Sequence, residues 1–216
     1  MTDGHPHAVQ NNIICSHLTS SLFQQQGIVD ISCHTLLWKL KNGQQDILDI
    51  TTTTTTTTDG NTTPKQKYMD LCLISDCIHF TNFHGALLAT IARLLKIHGK
   101  AILCQPKRGT SLDLFLELLR HVNDSAMYHG EDKEQQEQKQ QQSSSSSSLK
   151  PCPLFQVQLI EKYDDTVTSL HEKSLIDHVD TYDVNKHYPF MLLLTKMREY
   201  DEEKDTLVIE ECIKSR

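Results

Sequence analysis

A carboxylate and an imidazole stand close together in the stretch SDCIHF, as Asp76 and His79. An imidazole can exchange a proton near neutral pH, and a carboxylate accepts hydrogen bonds through both oxygens. Further on, QPKRG sets Lys107 and Arg108 side by side. What precedes each group makes these residues candidates. Met69 to Ile74 is an apolar run of strand length, interrupted only by Asp70, and Ala101 to Cys104 is a second, closed by Pro106. Between them Leu87, Leu88, Ile91, Leu94 and Leu95 recur at helical spacing, and Gly99 stands where a helix C-cap is expected. Two buried apolar strands joined by an amphipathic helix predict a βαβ crossover in a parallel sheet. In open α/β sheets the ligand lies beyond the carboxyl ends of the strands. Asp76 falls at one such end and Gln105 to Arg108 at the next.

Other chemistries fare worse. The glycines are scattered, and neither GxG nor GxxxxGK[ST] occurs, so there is no glycine-rich turn to cradle a nucleotide phosphate. His5 and His7, or Asp76 with His79 and His84, invite a metal, but no zinc-type pairing of Cys or His recurs, and no metal is expected. A Ser/His/Asp hydrolase would want GxSxG, which is absent. Cys77 near His79 does not make a reactive dyad on spacing alone.

Of the 216 residues, some are unsuited to a core. Thr51 to Thr58 is an unbroken threonine run, Glu131 to Gln142 is almost wholly Gln, Glu and Lys, and Ser143 to Ser148 is serine. Residues 51–67 and 124–150 are therefore expected to be low-complexity loop insertions without order. The net charge of −7, from 28 acidic and 21 basic residues, argues against nucleic acid or an anionic membrane as the main partner. No apolar run reaches membrane-spanning length, and the N-terminus lacks the basic-then-apolar order of a signal peptide. None of the seven cysteines forms a CxxC pair, and several lie within expected strands, which fits reduced thiols in a cytoplasmic or nuclear protein.

In chain order, Val9, Ile13, Leu18 and Leu22 give a helical face that Gly27 stops. Cys33 to Trp38 is expected to be a strand, and the central βαβ follows. Thr110 or Ser111 caps a helix carrying Leu112, Phe115, Leu116, Leu118, Leu119 and Val122. Phe155 to Tyr163 alternates as a half-buried strand, and Asp165 to Asp183 has a weak helical period. Phe190 to Thr195 is a continuous apolar strand. Residues 199–216 are read as a terminal helix or a charged tail. Helices alternating with strands predict a layered α/β domain over residues 1–198, its last two strands able to form a hairpin-like edge.

SDCIHF, QPKRG and HYPFMLLLTK together resemble the C-terminal part of the calmodulin-lysine N-methyltransferases, which are seven-strand lysine methyltransferases of the methyltransferase-16 type. The resemblance extends from Thr2 to about Met197, outside the low-complexity tracts. RLLKIHGKAILCQPKRGTSLDLF resembles that family's strand, turn and helix, and NKHYPFMLLLTK its final strand. It implies a Rossmann-like seven-strand sheet that is N-terminally incomplete here, its first strand and glycine turn missing. It also implies S-adenosylmethionine as cofactor and calmodulin or a similar acidic protein as substrate. By the same resemblance Asp3 would bind the ribose hydroxyls and Trp38 would lie near the adenine. Asp76 would open the acidic-x-x-aromatic motif beside the methyl donor and the incoming lysine. His79 takes the place of the motif's aromatic, with Phe80 next to it. Lys107 and Arg108 would contact the acidic substrate, and Tyr188 would line the lysine channel. The chain is thus expected to be a protein-lysine methyltransferase. The alternative is a catalytically inactive or truncated relative that serves as an interaction module. An α/β oxidoreductase half-domain is a third reading, against which the missing dinucleotide fingerprint counts.

Overall fold

The strand expected from Met69 onward forms, and so does its parallel neighbour, although their limits and burial differ from the periodicity. In the computed structural model, which describes residues 36–44, 47, 52–56, 62–66, 68–137 and 152–216, the chain divides into two units, Met1–Lys67 and Tyr68–Arg216.

In the first unit, β1 (Thr52–Thr56) pairs antiparallel with β2 (Thr62–Gln66), Thr52 opposite Gln66 and Thr56 opposite Thr62. Residues 52–56 and 62–66 are thus strands where a structureless loop was expected over 51–67. Threonine is β-branched and stiff at χ1, so a threonine run is low in complexity yet favours extended backbone. Leu36 to Lys39 are neither helix nor strand, unlike the strand expected to end at Trp38, which is half-buried. The helix read over Val9 to Leu22, the start of the Cys33 strand, and Asp3 lie outside the described residues.

The second unit is a four-stranded mixed sheet in the order β3-β4-β6-β5, made of β3 (Met69–Ser75), β4 (Leu95–Pro106), β5 (Phe155–Ile160) and β6 (Pro189–Lys196). β3 and β4 run parallel, while β6 is antiparallel to both β4 and β5. The helices are α1 (His84–Leu94), preceded by a 3-10 turn at Thr81–Phe83, α2 (Ser111–Glu137), α3 (Asp165–Asp177), α4 (Val184–His187) and α5 (Lys204–Lys214). Helices and strands alternate, as the α/β reading requires. The last two strands form the hairpin-like pair at one edge of the sheet, with β5 outermost and β6 between β4 and β5.

Alternation along β4 sends Ala101, Leu103 and Gln105 to one face. In register with them stand Leu194, Leu192 and Phe190 of β6. Ala101, Leu103, Leu192 and Leu194 are fully buried, together with Leu88, Ile91, Leu95, Phe115, Leu118 and Ile209. The opposite face is more open, and Leu71 and Leu73 of β3 are exposed, so β3 is not the fully buried strand its apolar run implies. Asp70, the interruption in that run, pairs with Lys96.

Gly99 caps no helix. α1 ends at Leu94 and the chain passes at once into β4, where the register slips between Met69 and Leu71. A Cβ at Gly99 would come within 2.9 Å of the backbone oxygens of both Lys96 and Met69, so close strand approach is what requires glycine there. α2 continues to Glu137, and the insertion expected from 124 onward is helical for that length. Gln, Glu and Lys are good helix formers, so a polar tract can extend a helix already nucleated by an apolar face.

The charged C-terminal segment is a packed helix. α5 lies against α2 and α1, with Val208, Ile209 and Cys212 buried. Two bidentate arginine pairs secure it. Arg93 of α1 donates from Nε and Nη2 to Glu202, both at 2.7 Å, and Arg198 donates to Asp205 at 2.6 and 2.7 Å.

Candidate functional site

β3 ends at Ser75 and β4 at Pro106, and the turns that follow converge at the carboxyl end of this parallel pair. The Asp76 N–H donates to the Cys104 carbonyl at 3.1 Å, extending the ladder by one bond before the chain leaves the sheet. Asp76 has φ 49° and Arg108 φ 42°, both in the left-handed region that side chains other than glycine adopt at some cost. The two strained residues meet. Arg108 Nε donates to Asp76 Oδ1 at 2.8 Å and Nη2 to Oδ2 at 2.7 Å, a fork-to-fork pair at the surface. This hydrogen bonding and the carboxylate charge raise the Arg108 pKa above its ordinary value. The Arg108 N–H also donates to the Asn185 carbonyl at 2.7 Å, which ties this turn to α4.

His79 lies near this pair without joining it. Its Nδ1 is 3.7 Å from Asp76 Oδ1, beyond hydrogen-bond range, and its ring stacks obliquely on the half-exposed Phe80 at 3.8 Å. Lys107 Nζ is 3.7 Å from Asp113 Oδ2, a solvated pair of the sort that contributes little.

Tyr188 stands at the same end of the sheet, because Pro189 of β6 pairs with Pro106 of β4. It is 6 % exposed, and its hydroxyl donates to the Glu161 carbonyl at 2.5 Å. Its ring packs 4.1 Å from His171 and edge-on to Phe190 at 5.6 Å. His171 Nδ1 in turn is 2.7 Å from the Tyr182 hydroxyl. Beside this cluster, burial and the neighbouring Cys104 push the Tyr163 phenol up to about 12. Tyr188 is therefore a satisfied, packed residue at this end of the sheet.

The structure thus brings together Asp76, His79 and Arg108, with Lys107 and Tyr188 adjoining in the chain and in the sheet. Trp38 belongs to the other unit, and Asp3 lies outside the described residues. Among the described residues no group of His, Cys, Asp and Glu could hold a metal ion, and no helix is long and apolar enough to cross a membrane. Of the residues expected to hold S-adenosylmethionine, only Asp76 is in this unit, and both its oxygens are bonded to Arg108.

Two residues that support the site have a different role from the one their motifs suggest, Gln105 as a strand-end residue and His84 as a candidate metal ligand. Gln105 is 1 % exposed and His84 0 %, and both bond the backbone of Ile78, between Asp76 and Phe80. Their signals were present. Gln105 shares the inward period of Ala101 and Leu103, and His84 shares the helical face of Leu87, Leu88 and Ile91. A polar residue on an apolar face needs a buried partner.

The Ile78 carbonyl can only accept, so His84 Nε2 carries a proton, and it is burial that disfavours a second proton on Nδ1. Burial lowers the His84 pKa below its ordinary 6.5 despite the Ile78 hydrogen bond, and the Arg216 cation lowers it further. The unfolded chain then binds this proton more readily than the folded one. His84 thus favours the fold above pH 6.5, and that contribution is lost as pH falls below it. Urea midpoints measured between about pH 5 and 7.5 are expected to fall toward acid, with a shallower slope in His84→Gln. An unchanged slope would mean that His84 charges freely in the folded chain.

No protein-family model matches the chain.

Proposed function

We propose that the chain is a protein-lysine N-methyltransferase that uses S-adenosylmethionine and acts on calmodulin or a similar acidic protein in the cytoplasm or nucleus. One observation carries this reading beyond the sequence resemblance. Asp76 and Arg108, from the two turns the resemblance marks, meet at the carboxyl ends of adjacent parallel strands, where open α/β sheets bind their ligands. The four strands of this unit also agree in number with the fourth to seventh of a seven-strand sheet. Once separated from Arg108, the Asp76 carboxylate offers two acceptors that can orient a lysine amine. His79 stands beside it as a proton acceptor, and Phe80 supplies an exposed ring for the substrate's alkyl chain or cation. Lys107 and the released Arg108 then face the carboxylates of an acidic partner. The chain's contribution is orientation and charge.

A second reading is favoured by one feature. Arg108 occupies both oxygens of Asp76, as suits a methyltransferase-like module that binds a partner without chemistry.

Calorimetric titration of the full chain with S-adenosylmethionine, followed by a labelled-methyl assay with calmodulin, separates the two. Saturable cofactor binding with label on a calmodulin lysine is expected. No heat at about 1 mM cofactor together with retained calmodulin binding would overturn the enzyme reading in favour of the module.

A further inference from the structure

The loop carrying Asp76 and His79 is gripped from inside the protein. Ile78, in its middle, is 1 % exposed. Its N–H donates to Gln105 Oε1 at 3.2 Å, and its carbonyl accepts from His84 Nε2 at 2.5 Å. Gln105 comes from the end of β4 and His84 from the first turn of α1. The His84 ring also rests edge-on against Phe115 of α2, with centroids 5.2 Å apart. Both polar side chains are therefore desolvated at the point where strand, helix and loop join.

Filling the space alone would not call for these residues. Each has one polar atom with no hydrogen-bond partner, His84 Nδ1 and Gln105 Nε2, and a buried unpaired polar atom is destabilising. Leucine at either place would pack without that cost. What leucine would not supply is a bond to the loop. Ile78 has no strand or helix partner for its backbone, and the two bonds satisfy both of its polar groups. With the Asp76 N–H held on Cys104, they fix the loop at two points, two residues apart.

We propose that His84 and Gln105 are positioning residues of the site. By bonding the N–H and the carbonyl of Ile78 they set the Asp76–Phe80 loop against β4, so that the Asp76 carboxylate meets the Arg108 guanidinium and His79 stands beside it. The strained backbone at Asp76 is retained because the loop has no freedom to relax. The proposal concerns loop geometry and holds whether or not the chain transfers a methyl group.

The test reads the site directly. In the nitrogen NMR spectrum of the full chain, the Arg108 Nε–H reports the fork-to-fork pair. His84→Leu and Gln105→Leu are expected to speed its solvent exchange at least about tenfold, while His84→Gln, which keeps a donor near the Nε2 position, restores slow exchange. Ile209→Ala, which removes core volume on α5 and no hydrogen bond, is expected to leave it slow. Slow exchange in both leucine variants, or equally fast exchange in Ile209→Ala, overturns the proposal. Should the leucine variants not fold, the imidazole nitrogen shifts of the unaltered chain decide. A neutral Nε2–H tautomer for His84 is expected, and a Nδ1–H tautomer would overturn the clamp.

Discussion

On the proposed methyltransferase function, Asp76→Asn is expected to lower calmodulin-lysine methylation by on the order of 10²-fold, with little change in thermal midpoint. Asparagine is the informative substitution. At φ 49° an alanine would add backbone strain, whereas Asn tolerates the left-handed region and keeps the side-chain shape. What is lost is one charge and one of two equivalent acceptors. A carboxylate that holds an amine in place acts through geometry, and small misplacements of reacting groups are costly. Stability should barely move, because the Asp76–Arg108 pair is exposed to water and salt. Steady-state methylation read beside a melting curve checks both halves. Turnover near that of the unaltered chain would remove Asp76 from the site, and a large fall in midpoint would make the residue structural.

Arg198→Ala is expected to have the opposite profile and to destabilise the chain by roughly 3–5 kcal/mol, lowering the thermal midpoint by roughly 6–20 °C. The Asp205 carboxylate is 6 % exposed and accepts from both Nη atoms of Arg198. Removing the guanidinium strands that charge, with the Asp201 N–H at 2.8 Å as its remaining bond. Arg198 also donates to the carbonyls of Cys152 and Glu199, so the end of β6, the approach to β5 and the start of α5 loosen together. Thermal melts followed by circular dichroism check this. A loss below about 1 kcal/mol would mean that Val208, Ile209 and Cys212, with the Arg93–Glu202 pair, dock α5 without Arg198.

The βαβ unit was legible because burial against one layer imposes a period. Leu87, Leu88 and Ile91 recur as a helix face, and Ala101, Leu103 and Gln105 as a strand face, whatever lies elsewhere in the chain. Asp76 and Gln105 to Arg108 followed as strand-end residues by the same logic. Composition was a poorer guide. The threonine run reads as low complexity yet supplies β1, paired with β2, since β-branching rather than variety favours extended backbone. Residues 199–216 left helix and tail both open, because charge along a segment does not reveal which charges are buried.

Pairing across the sheet was decided by tertiary structure. Arg108 meets Asp76 across 32 positions, and Arg93 meets Glu202 across 109. Neither partner carries a local mark of the other. Their meeting depends on β3 lying beside β4 and on β6 entering between β4 and β5, which sets the far end of the chain against α1. Local periodicity says which face of an element is buried, whereas the order of elements comes from how those faces are covered together. The sequence by itself therefore determined the strand ends and the residues standing there. The tertiary structure alone decided that Asp76 is held by Arg108, and that Ile78 is anchored on His84 and Gln105.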